Sequence, residues 1–284
     1  MENPLVGIDI GATKMRMVAK WSDRIDSELI STGSEIPAGE IEQAITKFVD
    51  RLSCDPKALG IAVAALVDEN GEIQSGEVLP SLLNWSPKSV FNFNFPIVVM
   101  NDAVAALSEE SHDLPQKSTA AVIVVGTGTG AALLVDGKQV VGARGWAGEI
   151  GSIPIMLLDK TVKSLNDLAG GGSILRDLEL TGEQLLQRLL EHDERVIGRV
   201  TVAGMALGLG IATLINLLNP HRITFAGRPS TLPYYSEAAL AAAKLYSFPA
   251  LWSACEVRRS SHGAMLVALG AARMAGMLLP ASPA

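Results

Sequence analysis

The chain has few cysteines, few histidines and few aromatic residues. Of its 284 residues, two are cysteine, four are histidine and 5% are aromatic. Neither Cys54 nor Cys255 lies in a CxxC pair or at metal-ligand spacing from a histidine, so the sequence gives no basis for a zinc site. Two free thiols are the simplest expectation, although the residues alone leave a disulfide between them open.

Positive charge and targeting segments are scarce as well. The net charge is −7 and no basic stripe interrupts it, which argues against a nucleic-acid-binding surface. The first residues lack a basic segment followed by an apolar one, so no leader is expected and the predicted location is cytoplasmic. The longest apolar helical run, "AGMALGLGIATLINLLNP", is shorter than a membrane span and predicts a core helix, so no membrane partner is expected.

What the chain does contain is typical of a compact α/β protein. Apolar residues make up 48%, charged residues 19%, and there are 27 glycines. Strand and helix patterns alternate along the chain. The stretch "HDLPQKS" predicts a boundary between a lobe at 1–115 and a lobe at 116–263. The closing segment, 264–284, is expected to pack back on the first lobe.

Apolar periodicity and turn residues predict the elements. Strands are predicted at 6–10, 15–19, 58–67 and 96–101, with a turn at 69–71. A second strand–turn–strand unit begins near residue 119 and includes a hairpin at Asp136-Gly137; a strand at 222–227 then leads into a turn at 227–229. Helices are predicted at 39–52, 103–111, 168–178, 183–191, 202–218 and 264–277.

The stretch "VGIDIGATKMRMV" places Asp9 in an apolar strand before a glycine turn. An unpaired charge there is costly, so Asp9 should meet a metal, a phosphate-bound water or a cation, unless it only caps a turn. The later stretch "VIVVGTGTGAALLV" repeats the arrangement of strand, Gly/Thr turn and strand. Because glycine turns let backbone N–H groups approach phosphate oxygens, two such turns predict a polyphosphate ligand.

These residues resemble the actin-like ATPase superfamily, and most closely its ROK family (repressors, open reading frames and sugar kinases). "GIDIGATK" and "VVGTGTGAALLVDG" resemble the family's two phosphate loops, "NDA" its catalytic strand end, "GWAGEIG" its sugar loop and "INLLNPHRITFAG" its adenosine side. "HGAMLVALGAA" resembles the closing helix. The resemblance implies a two-lobed actin-like ATPase (ribonuclease H-like) fold with a nucleotide and sugar cleft between the lobes.

The resemblance also assigns roles to individual residues. Asp102 takes the place of the general base; Asp is also a good cap for the helix that begins there, but the segment's place in the larger pattern favours catalysis. Asp9 would orient Mg²⁺ through water. The residues expected to bind ATP, its phosphates or adenosine are Asp9, Gly11, Thr13, Lys14, Gly126, Thr127, Gly128, Thr129 and Gly227. The residues expected to bind the sugar are Asn84, Asn101, Glu149, Ser152 and Asn166.

The chain departs from the family's pattern around the sugar loop. Ser152 stands where the family has a zinc-binding His, and the stretch that follows contains no cysteine, so no zinc is expected. Apolar contacts from residues 153, 155, 156 and 157 are expected to stabilise the loop instead. Asn166 replaces a Glu that would bind the sugar's anomeric hydroxyl, and it lacks the charge for a strong contact.

Two aromatic or polar positions nearby have alternative interpretations. Trp85, in "LLNW", could pack on a sugar face, but a core position is at least as consistent with the residues. His262 is interpreted as a polar helix start, since nothing in the sequence pairs it with a nucleophile.

The leading hypothesis is an ATP- and Mg²⁺-dependent kinase acting on a hexose or an amino-sugar derivative. The alternative is a non-catalytic sugar or nucleotide sensor, favoured by the altered sugar residues; a scaffold or chaperone ATPase would leave "GWAGEIG" without a purpose. Because the chain begins at the first phosphate strand, no DNA-binding helix-turn-helix is expected. A homodimer is the expected assembly. The sequence does not identify the sugar, because the residues that would specify it differ from the family's pattern.

Overall fold

The computed structural model describes residues 2–75, 79–157 and 159–280. Contacts divide the chain into two compact units. The first contains Met1–Asp113, Val141–Ala147 and Met265–Ala284, and the second contains Leu114–Val140 and Gly148–Ala264. The last four residues of the predicted closing segment, 281–284, lie outside the described residues.

Strands and helices alternate along the chain. The strands are β1 Leu5–Ile10, β2 Lys14–Lys20, β3 Ile25–Ser31, β4 Ala58–Val63, β5 Leu66–Val67, β6 Ile73–Ser75, β7 Ile97–Asn101, β8 Ala120–Val125, β9 Thr129–Val135, β10 Lys138–Gln139, β11 Pro154–Met156, β12 Val162–Ser164, β13 Arg222–Ala226 and β14 Glu256–Arg259. The α-helices are α1 Ala38–Asp50, α2 Pro87–Val90, α3 Asp102–Ser111, α4 Leu165–Ala169, α5 Gly171–Leu178, α6 Gly182–Leu190, α7 Glu194–Leu218, α8 Tyr235–Tyr246, α9 Pro249–Ala254 and α10 Leu266–Gly276.

The first unit is built on a five-stranded sheet in the order β3-β2-β1-β4-β7. The pairs β1–β2 and β2–β3 are antiparallel, whereas β1–β4 and β4–β7 are parallel. The six residues of β4 are all buried, which is what its continuous apolar run predicts. Because parallel strands end at the same edge, the carboxyl ends of β1 and β7 lie on one edge of this sheet.

Helix α10 closes the first unit by direct backbone contact with the sheet and with α3. A Cβ on Gly7 of β1 would lie 1.9 Å from the carbonyl oxygen of Ala268, and one on Gly60 of β4 would lie 2.0 Å from that of Ala271. Gly7 and Gly60 are register partners, so together they form a flat strip for the helix. The close approach of α10 therefore requires glycine at both positions.

An ion pair links α10 to α3. Arg273 makes a bidentate contact with Glu109, with Nε 2.7 Å from Oε2 and Nη2 3.2 Å from Oε1. Glu109 is only 4% exposed, so its charge is compensated inside the unit.

The second unit repeats the architecture of the first. Its five-stranded sheet has the order β10-β9-β8-β13-β14, with β8–β9 and β9–β10 antiparallel and β8–β13 and β13–β14 parallel. The repeated strand–turn–strand pattern in the sequence thus corresponds to a repeated sheet. The predicted turn at Asp136-Gly137 is present, with φ of 50° and 74° at its two residues.

Helix α7 forms the core of the second unit together with α8. Gly204 and Gly208 let the two helices meet closely, since a Cβ on either would lie 2.2 Å or 2.4 Å from a carbonyl oxygen of α8. At 25 residues α7 is long and apolar enough to cross a membrane by length and composition. The length argument from the sequence was therefore wrong, but the prediction of a core helix is confirmed by its many buried residues.

Several predicted bounds need correction. The strand predicted at 58–67 is two strands, β4 and β5, because the chain leaves the sheet after Val63. The helix predicted at 168–178 is broken at Gly170, which has extended backbone, into α4 and α5. Helix α7 begins eight residues before the predicted start, where Asp193 caps it by accepting from the N–H groups of Arg195 and Val196.

The hairpin β11–β12 follows the segment "GWAGEIG" and the 3₁₀ turn at its end. Residues Ile153, Ile155 and Leu157 pack against the core of the second unit, as predicted. Met156 does not, because it is 74% exposed. The side chains of a strand alternate between its two faces, so Met156 falls on the outer face of β11.

Candidate active site

Asp9 lies on β1 among buried apolar neighbours. Its antiparallel register partner is Arg16 on β2, and its parallel partner is Ala62 on β4. Burial and the negative charge of Asp102 raise the pKa of Asp9 to about 7, although Arg16 opposes the shift. A carboxyl in this setting binds either a proton or a cation.

The first Gly/Thr loop is the turn that joins β1 to β2. The N–H of Gly11 donates to the carbonyl of Lys14 at 3.0 Å, and the hydroxyl of Thr32 donates to the carbonyl of Gly11 at 2.8 Å. The carbonyl of Thr13 accepts from the N–H of Thr32. Thr13 and Lys14 are exposed. The loop is therefore pinned through its backbone while these two side chains face solvent.

The helix cap at the end of β7 belongs to Asn101 and not to Asp102 alone. The side-chain oxygen of Asn101 accepts from the N–H of Ala103 at 2.8 Å, and its amide nitrogen donates to the carbonyl of Ala65 at 3.1 Å. Asp102 is the first residue of α3, and its Oδ1 also accepts from the N–H of Ala103. Asn101 is thus tied to the backbone on both sides, and Asp102 stands at the carboxyl end of β7.

Asp9 and Asp102 are brought together by the parallel arrangement of β1, β4 and β7. The negative charge of Asp102 contributes to the raised pKa of Asp9, which shows that the two carboxyl groups interact. Two carboxylates at one sheet edge provide oxygen ligands of the kind Mg²⁺ prefers and a group that can accept a proton. Among the residues that the structure describes, no group of three or more His, Cys, Asp or Glu side chains could hold a metal ion.

The second Gly/Thr loop joins β8 to β9 in the second unit. The N–H of Gly126 donates to the carbonyl of Gly128 at 2.8 Å, which closes the turn. The N–H of Thr129 donates to Oδ1 of Asn166 at 2.6 Å. The hydroxyl oxygen of Thr129 is buried and has no hydrogen-bond partner within the described ranges. A buried hydroxyl left in this way is a candidate for contact with a ligand or a water.

Three consecutive glycines, 170 to 172, support this loop. No role was predicted for them from the sequence. The N–H of Gly171 donates to the carbonyl of Gly126 at 2.8 Å, and that of Gly172 donates to the carbonyl of Thr127 at 3.1 Å. A Cβ on Gly170 would lie 2.7 Å from the carbonyl oxygen of Thr127. The run "AGGGS" was the available signal, because adjacent glycines indicate close backbone approach.

Helix α4, which carries Asn166, is fixed at both ends. Ser164 and Asp167 form a capping box at its start. At its end the guanidinium of Arg199 donates to the carbonyl of Leu168 at 2.9 Å, and the hydroxyl of Tyr235 donates to the carbonyl of Ala169 at 2.8 Å. These bonds satisfy carbonyl groups that a five-residue helix leaves unpaired.

A short 3₁₀ turn spans Ile150–Ser152, so Ser152 ends it and Glu149 immediately precedes it. Both residues are exposed, and the N–H of Ser152 donates to the carbonyl of Glu149 at 3.2 Å. A Cβ on Gly151 would lie 2.2 Å from Oδ1 of Asn166, so the turn packs directly on α4. The structure therefore brings Glu149, Ser152 and Asn166 to one neighbourhood in the second unit.

Asn84 and Trp85 have different environments. Asn84 is exposed with a φ of 63°, a left-handed conformation that Asn tolerates, and its N–H donates to the carbonyl of Ile73. Trp85 is 6% exposed in the core of the first unit, and its indole N–H donates to Glu42 at 2.9 Å. The core interpretation of Trp85 is confirmed.

Gly227 follows β13 with a φ of 105°. A Cβ there would lie 1.9 Å from the carbonyl oxygen of Val125, the last residue of β8. Glycine at this position is required both by the backbone conformation and by the approach to β8. Gly227 is thus placed next to the strand that leads into the second Gly/Thr loop.

Known proteins resemble this chain over about four fifths of its length. It is 24% identical over 269 residues to a xylose repressor of Caldicellulosiruptor bescii, a match that covers 80% of this chain and 66% of the repressor. It is 25% identical over 269 residues to an N-acetyl-D-glucosamine kinase of Histophilus somni, covering 82% and 86% of the two chains.

Solved structures show the same fold. The ROK family glucokinase of Streptomyces griseus, solved with glucose and AMPPNP, matches with a TM-score of 0.79 at 20% identity, over 97% of this chain and 100% of that chain. The predicted two-lobed actin-like ATPase fold is thereby confirmed. The model of the ROK family matches residues 5–277, which include both Gly/Thr loops, Asp102 and the turn with Glu149. The chain belongs to the ROK family.

Proposed function

We propose that the protein is an ATP- and Mg²⁺-dependent kinase that phosphorylates a hydroxyl of a hexose or an amino-sugar derivative. The observation that carries the proposal is the pair Asp9 and Asp102 at one edge of the first sheet, where burial and mutual charge raise the pKa of Asp9 to about 7. Such perturbed carboxyls are typical of functional sites. Relatives named as sugar kinases support the same activity.

Asp102 is the proposed general base. It accepts the proton of the sugar hydroxyl, whose oxygen then attacks the γ-phosphate of ATP, and ADP leaves. The capping of α3 by Asn101 supports this role. Because Asn101 also accepts from the N–H of Ala103, the helix start does not depend on Asp102 for its hydrogen bond. Asn101 holds Asp102 at the end of β7, and we propose that the same amide contacts a sugar hydroxyl.

Asp9 is the proposed residue for Mg²⁺, which it would hold through water. Its carboxyl fits the ion because it is partly buried and repelled by the charge of a second carboxylate, a combination that a divalent cation stabilises. When bound, Mg²⁺ neutralises charge that develops on the phosphates. Asp9 lies on β1, two residues before Gly11, so it stands at the start of the first loop.

Phosphate binding is proposed for both Gly/Thr loops. In the first, Thr13 and Lys14 offer a hydroxyl and an ammonium group from exposed positions. In the second, the N–H groups of Gly126 and Thr129 bond within the protein, so the proposed donors are the backbone N–H groups of Thr127 and Gly128 and the buried hydroxyl of Thr129. Gly227 is the proposed contact with adenosine, supported by its position beside the end of β8.

Sugar binding is proposed for Glu149 and Ser152, with Asn84 as a further contact. Glu149 precedes the 3₁₀ turn and Ser152 ends it, and both residues are exposed, so a carboxylate and a hydroxyl lie three residues apart on one short segment. Relatives named for glucose and N-acetyl-D-glucosamine support a hexose or amino-sugar substrate. No zinc is part of the proposal.

The proposal is tested by ADP release with Mg·ATP against hexoses, N-acetylhexosamines and polyols. The variant Asp102→Asn keeps the size of the side chain but removes the base, so turnover with the preferred sugar should fall by about 10²–10⁴-fold. Affinity for ADP, measured by calorimetry, should stay within about twofold. Asp50→Asn, an exposed carboxylate at the end of α1, is the matched control and should keep full turnover.

A non-catalytic sugar or nucleotide sensor is the second candidate. The xylose repressor relative and the replacement residues Ser152 and Asn166 favour it. Silence of the wild-type protein across the sugar panel, together with measurable binding of ADP or a sugar, would support the sensor. Near-normal turnover in Asp102→Asn would instead remove Asp102 from the role of base.

A further inference from the structure

Asn166 is wedged between the second Gly/Thr loop and the turn that carries Glu149 and Ser152. Its Oδ1 accepts from the N–H of Thr129 at 2.6 Å. A Cβ on Gly151 would lie 2.2 Å from the same oxygen and 2.3 Å from the carbonyl oxygen of Thr129. A Cβ on Gly128 would lie 3.3 Å from it. The amide therefore fills the space that separates the loop from the turn.

The hydrogen bonds of the loop show how much depends on this side chain. In the described part of the chain, the other hydrogen bonds of the loop join backbone to backbone. One closes the turn from Gly126 to Gly128, and two are donated to the loop by Gly171 and Gly172. The bond from Thr129 to Asn166 is the one made by a side chain. Since Thr129 begins β9, this bond sets where the loop ends and the strand begins.

Asn166 is also well placed to act as a fixed support. It lies on α4, whose first turn has a capping box and whose last carbonyls accept from Arg199 and Tyr235. A side chain on such an element holds its position more precisely than one on a free loop.

We propose that Asn166 is a positioning residue for the nucleotide phosphates, acting through the backbone of the second Gly/Thr loop rather than as a sugar ligand. The inference rests on the proposed function, because it requires that this loop bind phosphate. It differs from the role that the family resemblance implies for this position. The neutral amide fits the task, since it accepts the Thr129 N–H without placing a negative charge beside the phosphates.

The first test is Asn166→Ala, measured by calorimetry with ADP and with adenosine in Mg²⁺ buffer. Removal of the acceptor leaves the Thr129 N–H unpaired and opens space beside Gly128. We expect the Kd for ADP to rise about tenfold, which is what loss of one well-placed hydrogen bond produces. Adenosine has no phosphate, so its Kd should be unchanged.

The second test is Asn166→Asp, which has the same shape and keeps an acceptor but adds a charge. We expect the variant to lose more affinity for ATP than for ADP, each compared with the wild-type protein. Both losses of affinity should shrink as the salt concentration is raised. A sugar-contact role predicts the opposite result, because a carboxylate would make a charge-assisted bond and lower the KM or Kd for the sugar.

Asn216→Ala is the matched control. Like Asn166, Asn216 accepts a backbone N–H with its side-chain oxygen, that of Phe248 at 2.8 Å, and its amide nitrogen donates to the Tyr246 carbonyl at 3.0 Å. It lies near the end of α7 and touches neither the loop nor α4 in those bonds. Its loss should lower the melting temperature while leaving the Kd for ADP unchanged.

The outcomes separate this inference from the proposed function. If wild-type protein fails to bind ADP, both are overturned. If it binds ADP and Asn166→Ala has the same Kd, the inference alone is overturned. It is also overturned if Asn166→Ala weakens adenosine and ADP equally, which would indicate a general structural role, or if only sugar binding suffers.

Discussion

Asp9 carries a free-energy cost that the fold imposes on a single side chain. Its pKa in the folded protein is about 7, against an ordinary value of 3.8, because burial disfavours the carboxylate and Asp102 adds repulsion. Between these two values the folded protein binds more protons at this position than the unfolded chain does. Stability from Asp9 is therefore fully present below pH 4 and is lost as pH rises through 7.

The variant Asp9→Asn should raise stability at pH 8 and leave it nearly unchanged at pH 4. Asparagine resembles the protonated carboxyl and cannot ionise, so it removes a penalty on the order of 2–4 kcal/mol at the higher pH. Thermal unfolding without ligand at the two pH values measures the difference.

Asp26→Asn, an exposed carboxylate on β3, is the control and should change the melting temperature little at either pH. A gain for Asp9→Asn that is equal at pH 4 and pH 8 would contradict the charge argument. The expected result would also show a position where stability is given up, in keeping with the proposed role in holding Mg²⁺.

Individual residues differ in how far sequence predicts them. Asp9 was identifiable because a carboxylate in an apolar strand is a local anomaly, and Asp102 because a polar residue ends an apolar strand. The partner of Asn166 was not predictable, because Thr129 lies 37 residues away and neither residue is unusual in its own segment. The sequence could not decide whether Trp85 lies in the core or on a sugar face, since both positions are compatible with the residues that flank it.

Glycines decide how closely the elements of this protein approach one another. Gly270 of α10 faces α3, where a Cβ would lie 1.8 Å from the carbonyl oxygen of Ala105. Gly198 of α7 is also helical, yet a Cβ there would meet nothing within 4 Å. The two positions have the same intrinsic helix propensity and opposite surroundings.

The substitutions Gly270→Ala and Gly198→Ala should therefore have opposite effects on stability. Gly270→Ala should destabilise the first unit by about 2–4 kcal/mol, because backbone must move to admit the methyl group. Gly198→Ala should stabilise α7 by up to about 1 kcal/mol, since alanine is the better helix former. Urea unfolding monitored by circular dichroism gives both values, and equal changes in the two variants would contradict the packing argument.

Elements were predictable where the local signal was strong. The glycine turns and apolar runs predicted both hairpins and the buried strands, but not which strands pair in parallel. The break between α4 and α5 was missed because apolar spacing continues across Gly170, and only the contacts of Gly171 and Gly172 with the second loop explain why the helix stops. The early start of α7 had a readable signal in Asp193, which is a good helix cap.

At the scale of the whole molecule, chain order and spatial grouping differ. Helix α10 belongs to the first unit, although more than a hundred residues of the second unit precede it. Its neighbours there include β1, β4 and α3. The repeated strand–turn–strand pattern predicted a duplicated unit in two lobes, but not the repeated order of five strands. No sequence pattern predicted that Val141–Ala147 would group with the first unit.

Hydrogen exchange of the intact chain should reveal this grouping. Peptides from α10 should exchange together with peptides from β1 and β4, because their amides become accessible only when the first unit opens. Peptides covering α9 and β14, which immediately precede α10 in sequence, should follow the second unit instead. Mass spectrometry in low denaturant measures both, and co-exchange of α10 with α9 and β14 would contradict the assignment.

The glycine strip formed by Gly7 and Gly60 has a consequence for synthesis on the ribosome. The strands that bear it are made long before the helix that covers it, which lies at residues 266–276. The second unit is complete in sequence by residue 264. Nascent chains therefore finish the later-coded half first, while the earlier half waits with an uncovered apolar surface that chaperones can bind.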